Sequence, residues 1–165
     1  MKRIALFLTI GFLFLQSCSS VHTMSDFYSK YENEATIIPI PKFALQFAAK
    51  QTNSNEFIKY LNSAKVFVLK KSSPNKQSRV LKDLKSSIRG EHYQDLISLK
   101  NNQNSLQISI LENDGKVQRM ILGISGFQNV MVIESKMNVL RTDLEKALEN
   151  ISDDDVEAIK DLIDN

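Results

Sequence analysis

From Tyr93 onward the chain keeps a period of two, and two of its alternating runs meet at Asn113-Asp114-Gly115. Tyr93, Asp95, Ile97 and Leu99 alternate with Gln94, Leu96, Ser98 and Lys100; Leu106, Ile108 and Ile110 alternate with Gln107 and Ser109. Side chains on a strand alternate between faces, so such a pattern specifies strands rather than helices. Asn101 to Asn104 forms the first turn. Asn113-Asp114-Gly115 forms a second, because Asp-Gly tolerates the positive φ that a hairpin needs. A three-residue loop with Gly115 left-handed pairs Glu112 with Lys116, Ile108 with Met120 and Leu106 with Leu122. The return strand runs through Ile124, with Gly123 and Gly126 marking a bulge or bend. Val130 to Ser135 is a fourth strand.

The residues before this meander read differently. Phe27, Tyr28 and Tyr31 recur at helical spacing. Ala35 to Ile40 is a short strand that Pro39 and Pro41 confine to an edge. In Lys42 to Lys50 the apolar side comes from Phe43, Leu45, Phe47 and Ala48. Asn53 or Ser54 caps a short helix with Phe57, Ile58 and Leu61 inward. Val66 to Leu69 is a strand core with strand-forming residues on both faces. Ser73-Pro74 opens the clearest helix: cap, first position, then Val80, Leu81, Leu84 and Ile88 inward and Gly90 as the stop. After the meander, Thr142 and Glu145 fit a capping box. Leu140, Leu144, Ala147, Leu148 and Ile151 make a stripe, and Ser152 caps a last acidic helix. Strands that follow strands, with helices grouped, give an α+β fold. We expect a mostly antiparallel sheet, a four-strand meander plus one or two N-terminal strands, with helices packed on one face.

The first eighteen residues concern location rather than fold. Lys2 and Arg3 precede an apolar run from Ile4 to Leu15. At about 12 residues the run is too short for a span, which takes ~20, and suits an export signal. Leu15-Gln16-Ser17-Cys18 then has the form of a lipobox: an aliphatic residue, a tolerant position, a small residue, and a thiol able to form a thioether to diacylglycerol. Cys18 is the sole cysteine. Stable anchoring needs more than one acyl chain, as a triacylated, palmitate-bearing cysteine provides. The expected organisation is a signal peptide over 1–17, a tether over 18–25, and one domain over 26–165. With Ser19 after the cysteine and no acidic cluster close behind it, analogy with lipoprotein sorting points to the outer membrane, facing the periplasm.

Charge narrows the function classes. The whole chain holds 21 Lys+Arg and 19 Asp+Glu, and the leader takes two of the cations. The balanced remainder argues against a general nucleic-acid binder. The charges are segregated. Lys65 to Arg89 carries eight cations and one acid, whereas Asp143 to Asp164 carries nine acids and two cations. These are either two solvated helix faces or, on the basic side, a surface of Lys76, Arg79, Lys82, Lys85 and Arg89 that contacts a partner or anionic lipid.

A lipobox, Phe27-Tyr28 with Tyr31 close behind, Lys65-Val66-Phe67-Val68 before a basic helix, and the meander around Asn113-Asp114-Gly115 together resemble one family. It is the group of small bacteroidete lipoproteins known as domain of unknown function 4252. The resemblance covers most of the mature chain. It implies an envelope lipoprotein, sometimes encoded near alternative sigma factors and so in an envelope-sensing context. The family has no established activity, so no residue roles carry over.

The residues themselves offer little chemistry. His22 and His92 stand far apart, which makes a metal site improbable. Asp153-Asp154-Asp155 lacks the alternating ligands and glycine of a calcium loop and suits a helix start. Gly123-Ile124-Ser125-Gly126 lacks the spacing of a nucleophile elbow. No phosphate-cradling loop is present. We therefore expect no enzyme, cofactor or metal. The leading reading is a membrane-held protein-interaction or envelope-sensing module, tied to the membrane through Cys18 and engaging an envelope protein. The alternative is a periplasmic carrier of a small apolar ligand.

Overall fold

The computed structural model describes residues 21–51, 60–100, 105–126 and 128–149. The expectations for residues 1–20, the cap at Asn53 or Ser54, the Asn101 to Asn104 turn and the acidic helix after Ser152 lie outside them. In chain order the elements are α1 (Met24–Tyr31), β1 (Thr36–Pro41), α2 (Lys42–Gln51), β2 (Leu61–Leu69) and α3 (Pro74–Gly90). There follow β3 (Gln94–Lys100), β4 (Ser105–Asn113), β5 (Lys116–Gly126), β6 (Asn129–Leu140) and α4 (Arg141–Glu149). The six strands form one sheet in the order β1-β2-β6-β5-β4-β3, every pairing antiparallel. The fold is thus α+β, with the four-strand meander and two N-terminal strands that the pattern implied. The proline-bearing β1 is an edge strand, where a missing N–H costs no ladder bond.

The helices occupy both faces of the sheet, not one. On the first face α1 and α3 bury Phe27, Tyr31, Val80, Leu84 and Ile88 against Phe67, Ile121, Val130 and Val132. On the second face α4 buries Leu144 against Ile108, Ile110, Met120 and Val139, and Leu45 of α2 packs at the margin. The physical reason is visible in Val66-Phe67-Val68 and in Val130 to Ile133. A continuous apolar run gives both faces of a strand something to bury. Phe67 and Val132 are paired neighbours on the first face, while Val66 and Ile133, one residue away, point to the other.

Register departs from the expected hairpin. Asp114 (φ 51°) and Gly115 (φ 74°) are both left-handed, giving a two-residue type I′ loop that pairs Asn113 with Lys116. An extra residue in β5 near Gln118 then places Ile110 opposite Met120, Ile108 opposite Leu122 and Leu106 opposite Ile124. Beyond the extra residue the slip is two, so those side chains keep their faces, whereas between it and the turn the slip is one and Val117 takes the place opposite Glu112 expected of Lys116. A second irregularity at Leu96 breaks the alternation of β3.

Three terminal signals resolve differently from expectation. Ser73 caps α3 and Pro74 follows it, as read. The helix ends at Gly90, as expected, but the left-handed residue that closes it is His92 (φ 63°), with the Tyr93 and His92 N–H groups donating to the Ile88 and Arg89 carbonyls. That is a Schellman closure built on histidine. Gly90 serves close approach, since a Cβ there would lie 1.9 Å from the His22 carbonyl oxygen. Thr142 lies inside the first turn of α4, which begins at Arg141 directly from β6. Of the stretch expected as a tether, Val21 and Met24 are buried in the core and Thr23 caps α1.

Candidate functional site

α1 is set by its own sequence. Thr23 Oγ1 accepts from the Asp26 N–H at 3.1 Å, and Asp26 Oδ2 accepts from the Thr23 N–H at 3.0 Å. This reciprocal capping box holds the Asp26 carboxyl below its ordinary range, the Thr23 side chain being the leading cause. The aromatic spacing then points Phe27, Tyr28 and Tyr31 at the sheet, where their rings lie 5.0, 6.4 and 6.2 Å from that of Phe67. Burying a ring as fully as Phe27 or Phe67 contributes on the order of 3 kcal/mol.

Where the aromatic packing ends, a polar cleft of about 330 Å³ opens between α1 and the sheet. Its charged members come from five separate elements or turns: Glu32 after α1, Lys65 of β2, Glu91 after α3, Arg119 of β5 and Glu134 of β6. Glu134 is 9 % exposed, a carboxylate in the central strand. Its Oε2 accepts from the Tyr28 hydroxyl at 2.9 Å, and the Lys65 ammonium stands 3.9 Å away while lying 4.2 Å from the Tyr28 ring centroid. Glu91 Oε1 accepts from the Met24 N–H at 2.7 Å, and its Oε2 lies 3.7 Å from Arg119. Charges of both signs therefore face one another, as a partly buried ionic group requires.

The phenols of this region are held protonated. Burial, then the charge of Glu134, pushes the Tyr28 hydroxyl far above its usual value. Burial, then the hydrogen bond to Asp83, does the same for Tyr31, whose hydroxyl donates to Asp83 Oδ2 at 2.6 Å. Burial pushes Tyr93 up to about 12, against an opposing influence from Arg119, and its buried hydroxyl makes no hydrogen bond of normal geometry. A phenol raised in this direction is a poorer nucleophile and a poorer general acid near neutral pH. The cleft binds α1 to the sheet.

The five basic residues anticipated along α3 differ in their surroundings. Lys76 is half-buried and ion-paired with Glu34. Arg79, Lys82, Lys85 and Arg89 are exposed. Lys82, Lys85 and Arg89, together with His22, Ser86 and Gly90, line a shallow basin of about 470 Å³ at the end of the helix. Cys18 lies outside the described residues. The expected apolar side of α2 is corrected in part: Phe43 and Phe47 are 74 % and 65 % exposed, whereas Leu45 packs inward. Ile38 on the adjacent edge strand is 49 % exposed.

Sequence reasoning did not single out the cleft. Its one local signal is Glu134 in strand parity with Val130 and Val132, which face the core. Among the described residues no group of His, Cys, Asp and Glu is arranged to hold a metal ion, and no helix is long and apolar enough to cross a membrane.

The fold is an open six-stranded antiparallel sheet with helices on both sides. Residues 28–147 match the family model described as Domain of unknown function (DUF4252), and the chain belongs to that family. No curated protein matches the chain.

Proposed function

We propose that the protein is a non-enzymatic envelope lipoprotein, anchored through Cys18, whose folded domain docks a partner protein. The observation that carries the docking role is the exposure of Phe43 and Phe47 on α2 and of Ile38 on the edge strand that leads into it. Aromatic side chains left this open on an otherwise packed domain mark interaction surfaces more often than they serve stability. The edge strand β1 beside them offers unpaired backbone groups on its outer side. The raised phenols support a role without catalysis, because their shifts run opposite to activation. The charged lining of the cleft gives the apolar-carrier alternative no support.

The anchor follows from the apolar run that ends at Leu15-Gln16-Ser17-Cys18. Growth with a clickable palmitate analogue tests it. The parent chain takes up label and fractionates with membranes, and Cys18→Ser does neither. Equal membrane retention of the two chains would overturn the anchoring.

A further inference from the structure

We infer that the C-terminal half of α3 faces the bilayer and that Lys82, Lys85 and Arg89 bind anionic lipid headgroups there. The inference rests on the reading of Cys18 as the anchor and adds an orientation to it. Packing of the domain begins at Val21, which is 4 % exposed, only three residues after Cys18. Three residues span at most about 11 Å even when extended. The anchor therefore holds the domain against the membrane surface, not away from it. The point of exit is equally defined. The His22 carbonyl crosses Gly90 so closely that a Cβ would stand 1.9 Å from its oxygen. The anchored segment thus leaves the domain at the C-terminal end of α3.

The charged side chains of α3 that line the basin at that exit are all cations, and the acid nearest it, Asp26, is held by the His22 and Thr23 N–H groups. Lys82, Lys85 and Arg89 are exposed, share the basin with His22, and make no ion pair among the described residues. At 1.5 Å per residue the three span about 10 Å of helix. The neighbouring acids are turned inward: Asp83 accepts from Lys30 and Tyr31, and Glu91 accepts from the Met24 N–H and faces Arg119. Lys76, far from the exit, is matched by Glu34. Of the four exposed α3 cations without an ion pair among the described residues, three thus lie in the half nearest the anchor's exit and one, Arg79, lies beyond it. Helix-end dipole compensation accounts for Arg89 but does not reach Lys82, two turns in.

The test uses the full acylated chain, extracted from envelopes and reconstituted into vesicles of phosphatidylcholine alone or rich in phosphatidylglycerol. A membrane-impermeant amine-acylating reagent then reports each lysine by peptide mass spectrometry. Each cation at an anionic surface contributes a factor of about five. Labelling of Lys82 and Lys85 is expected to slow about fivefold or more on the anionic vesicles, with Lys100 unchanged. At molar salt, where charges are screened within ~3 Å, the difference vanishes. A Lys82→Gln, Arg89→Gln variant keeps Lys85 as reporter and brings its labelling on anionic vesicles back toward the neutral-vesicle rate. An acylated chain whose Lys82 and Lys85 label alike on both vesicles overturns the inference while leaving the anchor standing. An N-terminal peptide of unmodified mass overturns both.

Discussion

The Tyr28 hydroxyl donates a 2.9 Å hydrogen bond to Glu134 Oε2, joining α1 to the central strand across 106 residues of chain. The carboxylate it meets is 9 % exposed, with Lys65 its nearby cation at 3.9 Å. Removing a donor from a buried charged acceptor costs more than the bond itself contributes, because the acceptor stays desolvated. Tyr28→Phe is therefore expected to lower stability by about 1–3 kcal/mol. Glu134→Gln retains an acceptor for Tyr28 and should cost less. Urea midpoints of the soluble Cys18→Ser chain measure both. A Tyr28→Phe midpoint equal to the parent's would show that the bond does not hold α1.

Alkaline pH acts on the same face. Tyr28, Tyr31 and Tyr93 all have folded values raised above the ordinary 10.0, with burial the leading cause in each. A raised value means that the folded state holds its proton more tightly. The associated stability is complete below pH 10 and is lost as pH climbs through the folded values, of which that of Tyr93 is about 12. Each such group lowers stability by about 1.4 kcal/mol per pH unit within that window. Phenolate absorbance near 295 nm should show these three tyrosines titrating late and together with loss of structure. Early, independent ionisation of all three would contradict the buried arrangement.

Two glycines separate close approach of backbone from close approach of a side chain. A Cβ at Gly90 meets the His22 carbonyl at 1.9 Å, and neither main chain can yield without moving the start of α1. A Cβ at Gly123 meets only the Leu84 Cδ2 at 2.9 Å, the end of a side chain that can rotate. Gly90→Ala is expected to cost on the order of 2 kcal/mol or more and to raise hydrogen exchange around Met24 to Asp26. Gly123→Ala costs less, because alanine recovers about 0.5–1 kcal/mol of chain entropy. The ranking is the check: a Gly123 variant as damaged as the Gly90 variant would refute it.

These residues also show what a sequence can disclose. Ser73-Pro74, the spacing of Phe27, Tyr28 and Tyr31, the prolines of β1 and Asp114-Gly115 act through their own backbone or nearest turn, so their meaning is local and readable. Register is different. The extra residue near Gln118 is decided by how two strands share a core, and an even slip leaves the hydrophobic pattern unaltered. Helices on both faces were implicit in the continuous apolar runs, but the pattern does not say which helix covers which face. The cleft is less accessible still. Lys65, Glu91, Arg119 and Glu134 become neighbours only once the strand order is fixed. Gly90 ends α3 as its local pattern suggested, but what requires a glycine there, His22, lies 68 positions earlier in the chain.

The exposed pair on α2 permits stability and docking to be separated. Phe43 and Phe47 lie one turn apart and are mostly in solvent. Serine and phenylalanine have similar helix propensities, so Phe43→Ser with Phe47→Ser is expected to change stability by less than about 0.5 kcal/mol. A residue kept for packing would not behave so: truncating a buried Phe costs about 3–5 kcal/mol. The same double variant is expected to abolish partner engagement, since a few aromatic anchors carry most of the energy of an interface. A photo-cross-linking residue at Gln46, between the two rings on the exposed side of α2, should give one discrete adduct in cells. The double variant should lose that adduct while keeping its midpoint in urea. An unchanged adduct would place docking elsewhere, and an unfolding free energy that falls by several kcal/mol would show that the two rings are buried in the working protein.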